Sequence, residues 1–93
     1  MASHSNKYCP CCGYDTFGED KRGQWKLCPI CYWEDDPIQL QDHHYSGGAN
    51  SVSVAEAREN YAKFGACEEH LVKYTSLPKT IDKRKPDWKV IQS

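Results

Sequence analysis

The chain has 93 residues, 39% hydrophobic and 27% charged, with a formal net charge of −1. Its mean hydropathy is −0.82. No apolar stretch approaches the roughly 20 residues that cross a bilayer, which excludes a membrane-spanning helix, and a domain of this size buries only roughly 60–65% of its unfolded surface, so a staple is expected beside the core.

The opening Met1-Ala2-Ser3-His4-Ser5-Asn6 lacks the apolar core of a secretory signal. Residues 1–7 are therefore expected to be a flexible N-terminus and the chain to be cytoplasmic, where cysteines persist as thiols and thiolates. The next residues carry the main signal. Cys9-Pro10-Cys11-Cys12-Gly13 and Cys28-Pro29-Ile30-Cys31-Tyr32 are two Cys-x2-Cys pairs, each with proline after its first cysteine, separated by fifteen residues. Two such knuckles bring four sulfurs around one tetrahedral ion, so Cys9, Cys12, Cys28 and Cys31 are predicted to hold one structural Zn2+. Four thiolates fill the tetrahedron and leave no position for water or substrate. A disulfide framework is the competing reading of six cysteines in a short chain. Cys11 and Cys67 remain; both are read as small buried side chains, with Cys11 near enough to Cys9 and Cys12 to replace one of them as ligand.

Between the knuckles, Tyr14-Asp15-Thr16-Phe17 and Gln24-Trp25-Lys26-Leu27 are β-prone runs flanking the turn Gly18-Glu19-Asp20-Lys21-Arg22-Gly23. They predict a ribbon hairpin, with Trp25 and Leu27 on one face beside the metal, together with Tyr14 or Phe17. After the second knuckle, Tyr32-Trp33 runs into Glu34-Asp35-Asp36-Pro37. Three adjacent carboxylates want solvent or a cation. The segment reads either as a solvated turn ended by proline or as a contact surface, with Trp33, Glu34, Asp35 and Asp36 as the candidate partner-binding residues. His43 and His44 point in different directions and lack a third ligand, so they read as solvated or hydrogen-bonded, as do His4 and His70.

Gly47-Gly48-Ala49-Asn50 breaks the chain before a helix expected over 54–64: Ser53 and Glu56 form a capping box and Gly65 is a stop signal. Val54, Ala57, Tyr61 and Phe64 should face inward, and Glu56, Glu59 and Lys63 outward. Arg58 lies beside the apolar stripe, within expected reach of the 34–36 carboxylates. Residues 67 to 74 suggest a second, shorter helix with Leu71 and Val72 inward. From Lys73 onward there are six Lys or Arg against two Asp, whereas residues 13 to 45 carry seven acids and three bases. Lys79, Lys83, Arg84, Lys85, Lys89 and Trp88 fit nucleic-acid contact, but Pro78 and Pro86 favour an extended tail whose Trp88-Lys89-Val90-Ile91 docks as a terminal strand. The expected architecture is thus small α+β: a zinc-ribbon-like hairpin with two knuckles and one packed helix over residues 8–75, then a basic tail over 76–93.

Cys9-Pro10-Cys11-Cys12-Gly13-Tyr14, Cys28-Pro29-Ile30-Cys31, Trp33-Glu34-Asp35-Asp36, Gly47-Gly48-Ala49-Asn50 and Ala57-Arg58-Glu59-Asn60 before Phe64-Gly65 occur in this order. Together they resemble the small bacterial cysteine-rich CPCC family over about residues 8 to 67. The resemblance implies no assigned activity; similar proteins are associated with toxin and immunity loci, which implies a toxin-neutralising role. Three classes of function follow. A non-catalytic protein-binding module, whose acidic surface covers a cationic toxin cleft, is preferred. A nucleic-acid-binding zinc ribbon using the basic tail comes second. An enzyme comes last, because no nucleophile, base and orienting group stand together.

Overall fold

Cysteine-proline pairs make tight backbone turns, and here two such turns organise everything else. The computed structural model describes residues 8–17, 26–79 and 83–90. Its elements are the short helix α1 (Pro37–Gln41), the helix α2 (Val54–Phe64) and a 3-10 helix over Glu69–Tyr74. Among the described residues extended pairing is confined to two isolated antiparallel bridges, Tyr14 with Arg84 and Leu27 with Glu34.

That pairing differs from the expected ribbon. Residues 18–25, including Trp25 and the turn, lie outside the described residues, and at the described ends the bridge partners are Arg84 for Tyr14 and Glu34 for Leu27. The second knuckle closes on itself: Asp35 N–H donates to Lys26 O and Cys28 N–H to Trp33 O, each at 2.8 Å. Phe17 is buried in the core, as expected, and Tyr14 packs partly against it.

The WEDD segment is a correction. Trp33, Asp35 and Asp36 are 0%, 1% and 3% exposed, and Glu34 is half-buried, so three of the four candidate partner-binding residues lie inside the protein. The reason is the proline. Pro37 stands at the first position of α1, where a fixed φ is favourable and a missing N–H is harmless. Asp36 is thereby the N-cap: its Oδ1 accepts from the N–H groups of Ile38 and Gln39, and its Oδ2 from Ala49 N–H at 2.9 Å. The charge that looked like a surface feature is neutralised by backbone donors at a helix start.

The Gly47-Gly48-Ala49-Asn50 segment serves the same corner. Buried Gln39 donates through Nε2 to the carbonyls of Tyr45, Asn50 and Val52, and its Oε1 accepts from Asn50 N–H and Nδ2. Asn50 in turn mimics a strand partner for Glu34: its Oδ1 accepts from Glu34 N–H and its Nδ2 donates to Glu34 O, both at 2.8 Å. Gly48 is required because a Cβ there would lie 2.5 Å from Asp36 Oδ2. Two sequence blocks that look like separate motifs are therefore two halves of one buried polar network.

Helix α2 has the predicted ends. Ser53 Oγ accepts from Glu56 N–H, Glu56 Oε1 accepts from Ser53 N–H, and Gly65 closes the helix in the left-handed region at φ 82°. Val54 and Ala57 are buried and Tyr61 packs against the core. Phe64, expected inward, is 39% exposed, because the chain turns at Gly65 and sends Ala66 and Cys67 inside instead. The expected second helix is the 3-10 turn; its threefold repeat separates neighbouring side chains widely, so Leu71 packs on the core while Val72 is 41% exposed.

Candidate metal centre

The two knuckles are copies in geometry as well as in sequence. In the first, Cys9 N–H donates to Tyr14 O and Gly13 N–H to Cys9 O; in the second, Cys28 N–H donates to Trp33 O and Tyr32 N–H to Cys28 O, all at 2.8 Å. The residue after the second ligand must take positive φ to close this turn. Gly13 does so at 83°, and Tyr32 does so at 68°, among the described residues the one non-glycine with positive φ. A side chain pays a steric cost of about 1–2 kcal/mol for that conformation, and the Tyr32 ring stacks on Tyr74 with centroids 5.2 Å apart, which offsets part of it.

The turns face each other and bring four buried sulfurs together. Cys9 Sγ is 3.5 Å from Cys31 Sγ and Cys12 Sγ is 3.7 Å from Cys28 Sγ, and all four lie within 4.8 Å of one another. A tetrahedron with metal–sulfur bonds of about 2.3 Å has edges of about 3.8 Å, so the spacing suits an ion at the centre. It is too long for disulfides, which need about 2.0 Å, and all six cysteines are free, which sets aside the disulfide framework. The donor set fits a soft or borderline cation. Cys9, Cys12, Cys28 and Cys31 are thus positioned to bind a metal ion, and each is at most 1% exposed.

The electrostatics show what a cation would supply. Burial first, then the neighbouring Cys12 and Cys28, pushes the Cys9 thiol up, and burial followed by a hydrogen bond with Cys11 does the same at Cys31. The contact with Cys28 pushes Cys12 up, while the same contact, with those from Cys31 and Cys9, holds Cys28 far down as a thiolate. Thr16 Oγ1 also donates to Cys28 Sγ at 3.0 Å. Burial and mutual contact thus push three of the four thiols toward their neutral form, and a divalent ion displaces thiol protons and removes the repulsion between neighbouring sulfurs.

The remaining residues fall into place around this centre. Cys11 Sγ donates to Ala57 O at 3.4 Å, tying the first knuckle to α2, and it is not among the four converging sulfurs. Cys67 is buried, which pushes its thiol up, and its N–H donates to Cys31 O at 2.9 Å. Arg58 turns away from the expected 34–36 carboxylates. Its Nε donates to Pro10 O at 2.6 Å and its Nη1 to Lys89 O at 3.3 Å, and burial lowers its guanidinium pKa. His43 is half-buried, which lowers its pKa, and His44 is exposed; among the described residues the four cysteines are the one cluster with metal-ligand geometry.

Sequence reasoning missed Thr16, Arg84 and Trp88 as neighbours of the centre. Arg84 Nε donates to Cys12 O at 2.9 Å and Trp88 Nε1 to Cys11 O at 2.8 Å. The tail docks, but on the first knuckle through residues 83–89 rather than as a strand at Trp88–Ile91; Ile91 lies outside the described residues. A tryptophan inside a basic run was the available signal, and it could not say where the ring would land.

The sequence profile of the family described as Cysteine-rich CPCC matches residues 7–82. The chain belongs to the cysteine-rich CPCC family, and its four-cysteine cluster is positioned to bind a metal ion. A comparison with curated proteins gave no match. Among the described residues no helix is long and apolar enough to cross a membrane.

Proposed function

We propose that this chain is a non-catalytic, zinc-stabilised protein-binding module, and that its specific role is the one the family resemblance implies, neutralisation of a bacterial toxin. The observation that carries the reading is the closure of the centre: four sulfurs, each at most 1% exposed, converge from two self-closing turns. A tetrahedral ion held this way is shielded from solvent and has no position left for a substrate, so its work is to hold the fold. Zn2+ suits the site because it imposes no geometry of its own and does not change oxidation state; iron is the competitor for four sulfurs.

The contact surface moves with the burial of Trp33, Asp35 and Asp36. Acid and aromatic groups meet instead beside the end of α2, in an open depression of about 560 Å3 lined by Val52, Asn60, Phe64, Glu68, Glu69 and His70. Phe64 supplies an exposed apolar anchor there, and Glu68 and Glu69 supply the negative charge that suits a cationic partner. The nucleic-acid alternative loses support because Arg84 and Trp88, its best candidates in the tail, are engaged on the first knuckle.

Elemental analysis of the freshly purified chain should give one zinc per molecule and no stoichiometric iron. Stripping the ion should unfold the centre, since thiolate zinc sites contribute about 10–16 kcal/mol at neutral pH, comparable with or larger than the roughly 5–15 kcal/mol net stability of a domain. For the partner, the product of the adjacent gene is the protein to test by calorimetry. Phe64→Ser and Glu69→Lys should weaken that binding while leaving zinc content unchanged. Unaltered affinity in both variants refutes the surface; absence of any stoichiometric metal refutes the module.

A further inference from the structure

The two knuckles are alike within themselves but are held from outside in different ways. A knuckle turns its N–H groups inward, so its carbonyls point out and need donors. In the second knuckle those donors are backbone: Ser76 N–H reaches Pro29 O at 3.0 Å and Cys67 N–H reaches Cys31 O at 2.9 Å. In the first knuckle three consecutive carbonyls, of Pro10, Cys11 and Cys12, each receive a side-chain donor, from Arg58, Trp88 and Arg84 respectively. Two of the three come from the C-terminal segment.

That segment grips the knuckle along its length. Asp15 N–H donates to Lys83 O at 2.8 Å, Lys83 N–H to Asp15 Oδ1 at 3.0 Å and Lys85 N–H to Gly13 O at 2.7 Å. The Arg84 guanidinium lies 3.9 Å from the Trp88 ring centroid, 4.9 Å from that of Tyr14 and 5.7 Å from that of Tyr61. Trp88 covers Gly13 so closely that a Cβ there would sit 2.3 Å from its Cδ1. Arg58 then joins α2 to the far end of the segment through Lys89 O. A divalent ion with four thiolates carries a net charge of −2, and Arg58 and Arg84 stand beside its ligands as the cations that compensate it. Yet residues 83–87 are exposed, so the segment lifts more easily than the core unfolds.

We propose that residues 83–90 are a clamp on the first knuckle that sets how fast the metal leaves, with Arg84 and Trp88 as the positioning residues and Cys9 and Cys12 as the ligands freed first when it lifts. The proposal rests on the metal-binding reading. Because the second knuckle is held by backbone donors outside the clamp, Ser76 and the buried Cys67, lifting the clamp opens only one half of the site. The ion then leaves by ligand exchange to an acceptor chelator, and the fold around α2 is not required to unfold.

The test uses the full zinc-loaded chain and follows transfer of zinc to a chromogenic pyridylazo chelator. Arg84→Lys keeps the charge but loses the Nε donor, and Trp88→Phe keeps a ring but loses the N–H. Loss of such outer contacts typically costs 10–100-fold in metal affinity, so the double variant should release zinc about 10–100-fold faster at unchanged stoichiometry and unchanged far-UV dichroism. Tyr74→Phe, which touches the second knuckle through Tyr32, should release at the parental rate. A chain ending at residue 82 should be at least as fast as the double variant; if that truncation does not fold, the conservative pair decides. Release by the double variant within twofold of the parent overturns the clamp while leaving the metal centre standing. A parent without stoichiometric metal overturns both.

Discussion

Replacing Gln39 with leucine is the sharpest test of how the fold is held away from the metal. Gln39 is fully buried and makes five side-chain hydrogen bonds, three donated to the carbonyls of Tyr45, Asn50 and Val52 and two accepted from Asn50. Leucine has about the same volume and opens no cavity, so the cost is that of stranded polar groups. Asn50 Nδ2 keeps its bond to Glu34 O, but Asn50 N–H and Asn50 O lose partners at a residue only 5% exposed. At about 1–3 kcal/mol for each buried group left unmade, these two give roughly 2–6 kcal/mol; the carbonyls of Tyr45 and Val52, nearer solvent, add less. In a domain of this size even 2 kcal/mol lowers the melting temperature by about 8–16 °C. The assay is urea and thermal unfolding of the zinc-loaded chain followed by tryptophan fluorescence, for which buried Trp33 is the reporter. A loss below about 0.5 kcal/mol would show that water replaces Gln39 without penalty, and the account of the 34–36 and 47–50 blocks as one polar network would fall.

Gly48→Ala should cost about 1–3 kcal/mol, because its Cβ meets Asp36 Oδ2, which holds both the start of α1 and Ala49 N–H; unfolding at an unchanged midpoint would refute that packing. Tyr32→Gly removes left-handed strain and the stack on Tyr74 together, so its net effect should lie within about 1 kcal/mol, while Tyr32→Val, β-branched at φ 68°, should be clearly worse. Metal uptake should release protons near neutral pH, since ligation needs thiolates while burial and mutual contact push the Cys9, Cys12 and Cys31 thiols up. The folded, loaded state binds fewer protons, so metal affinity and the stability it supplies rise with pH and are lost on acidification. Calorimetry in buffers of different ionisation heat gives the proton count, and a value near zero would contradict those assignments.

Local rules written in consecutive residues were legible without coordinates. The two Cys-x2-Cys pairs specify their turns and their sulfurs, and Ser53, Glu56 and Gly65 specify the ends of α2, because the bonds that close each turn and cap run within five residues. The α1 cap was equally local, with Asp36 before Pro37, but its carboxylate looks the same in sequence whether it meets solvent or backbone N–H groups. Which way Phe64 and Val72 face depended on where the chain goes after Gly65, which no helical period contains.

The metal ligands, the helix and its caps were thus determined by the chain itself, through short-range geometry that leaves each residue few alternatives. Tertiary structure alone decided that Trp33, Asp35 and Asp36 go inside, that Gln39 and Asn50 find each other, and that Arg58, Arg84 and Trp88 close on the carbonyls of the first knuckle. Those pairings join residues up to 77 positions apart. A hydrogen-bond donor in sequence carries no address, and only the packed fold shows which orphaned carbonyl it reaches.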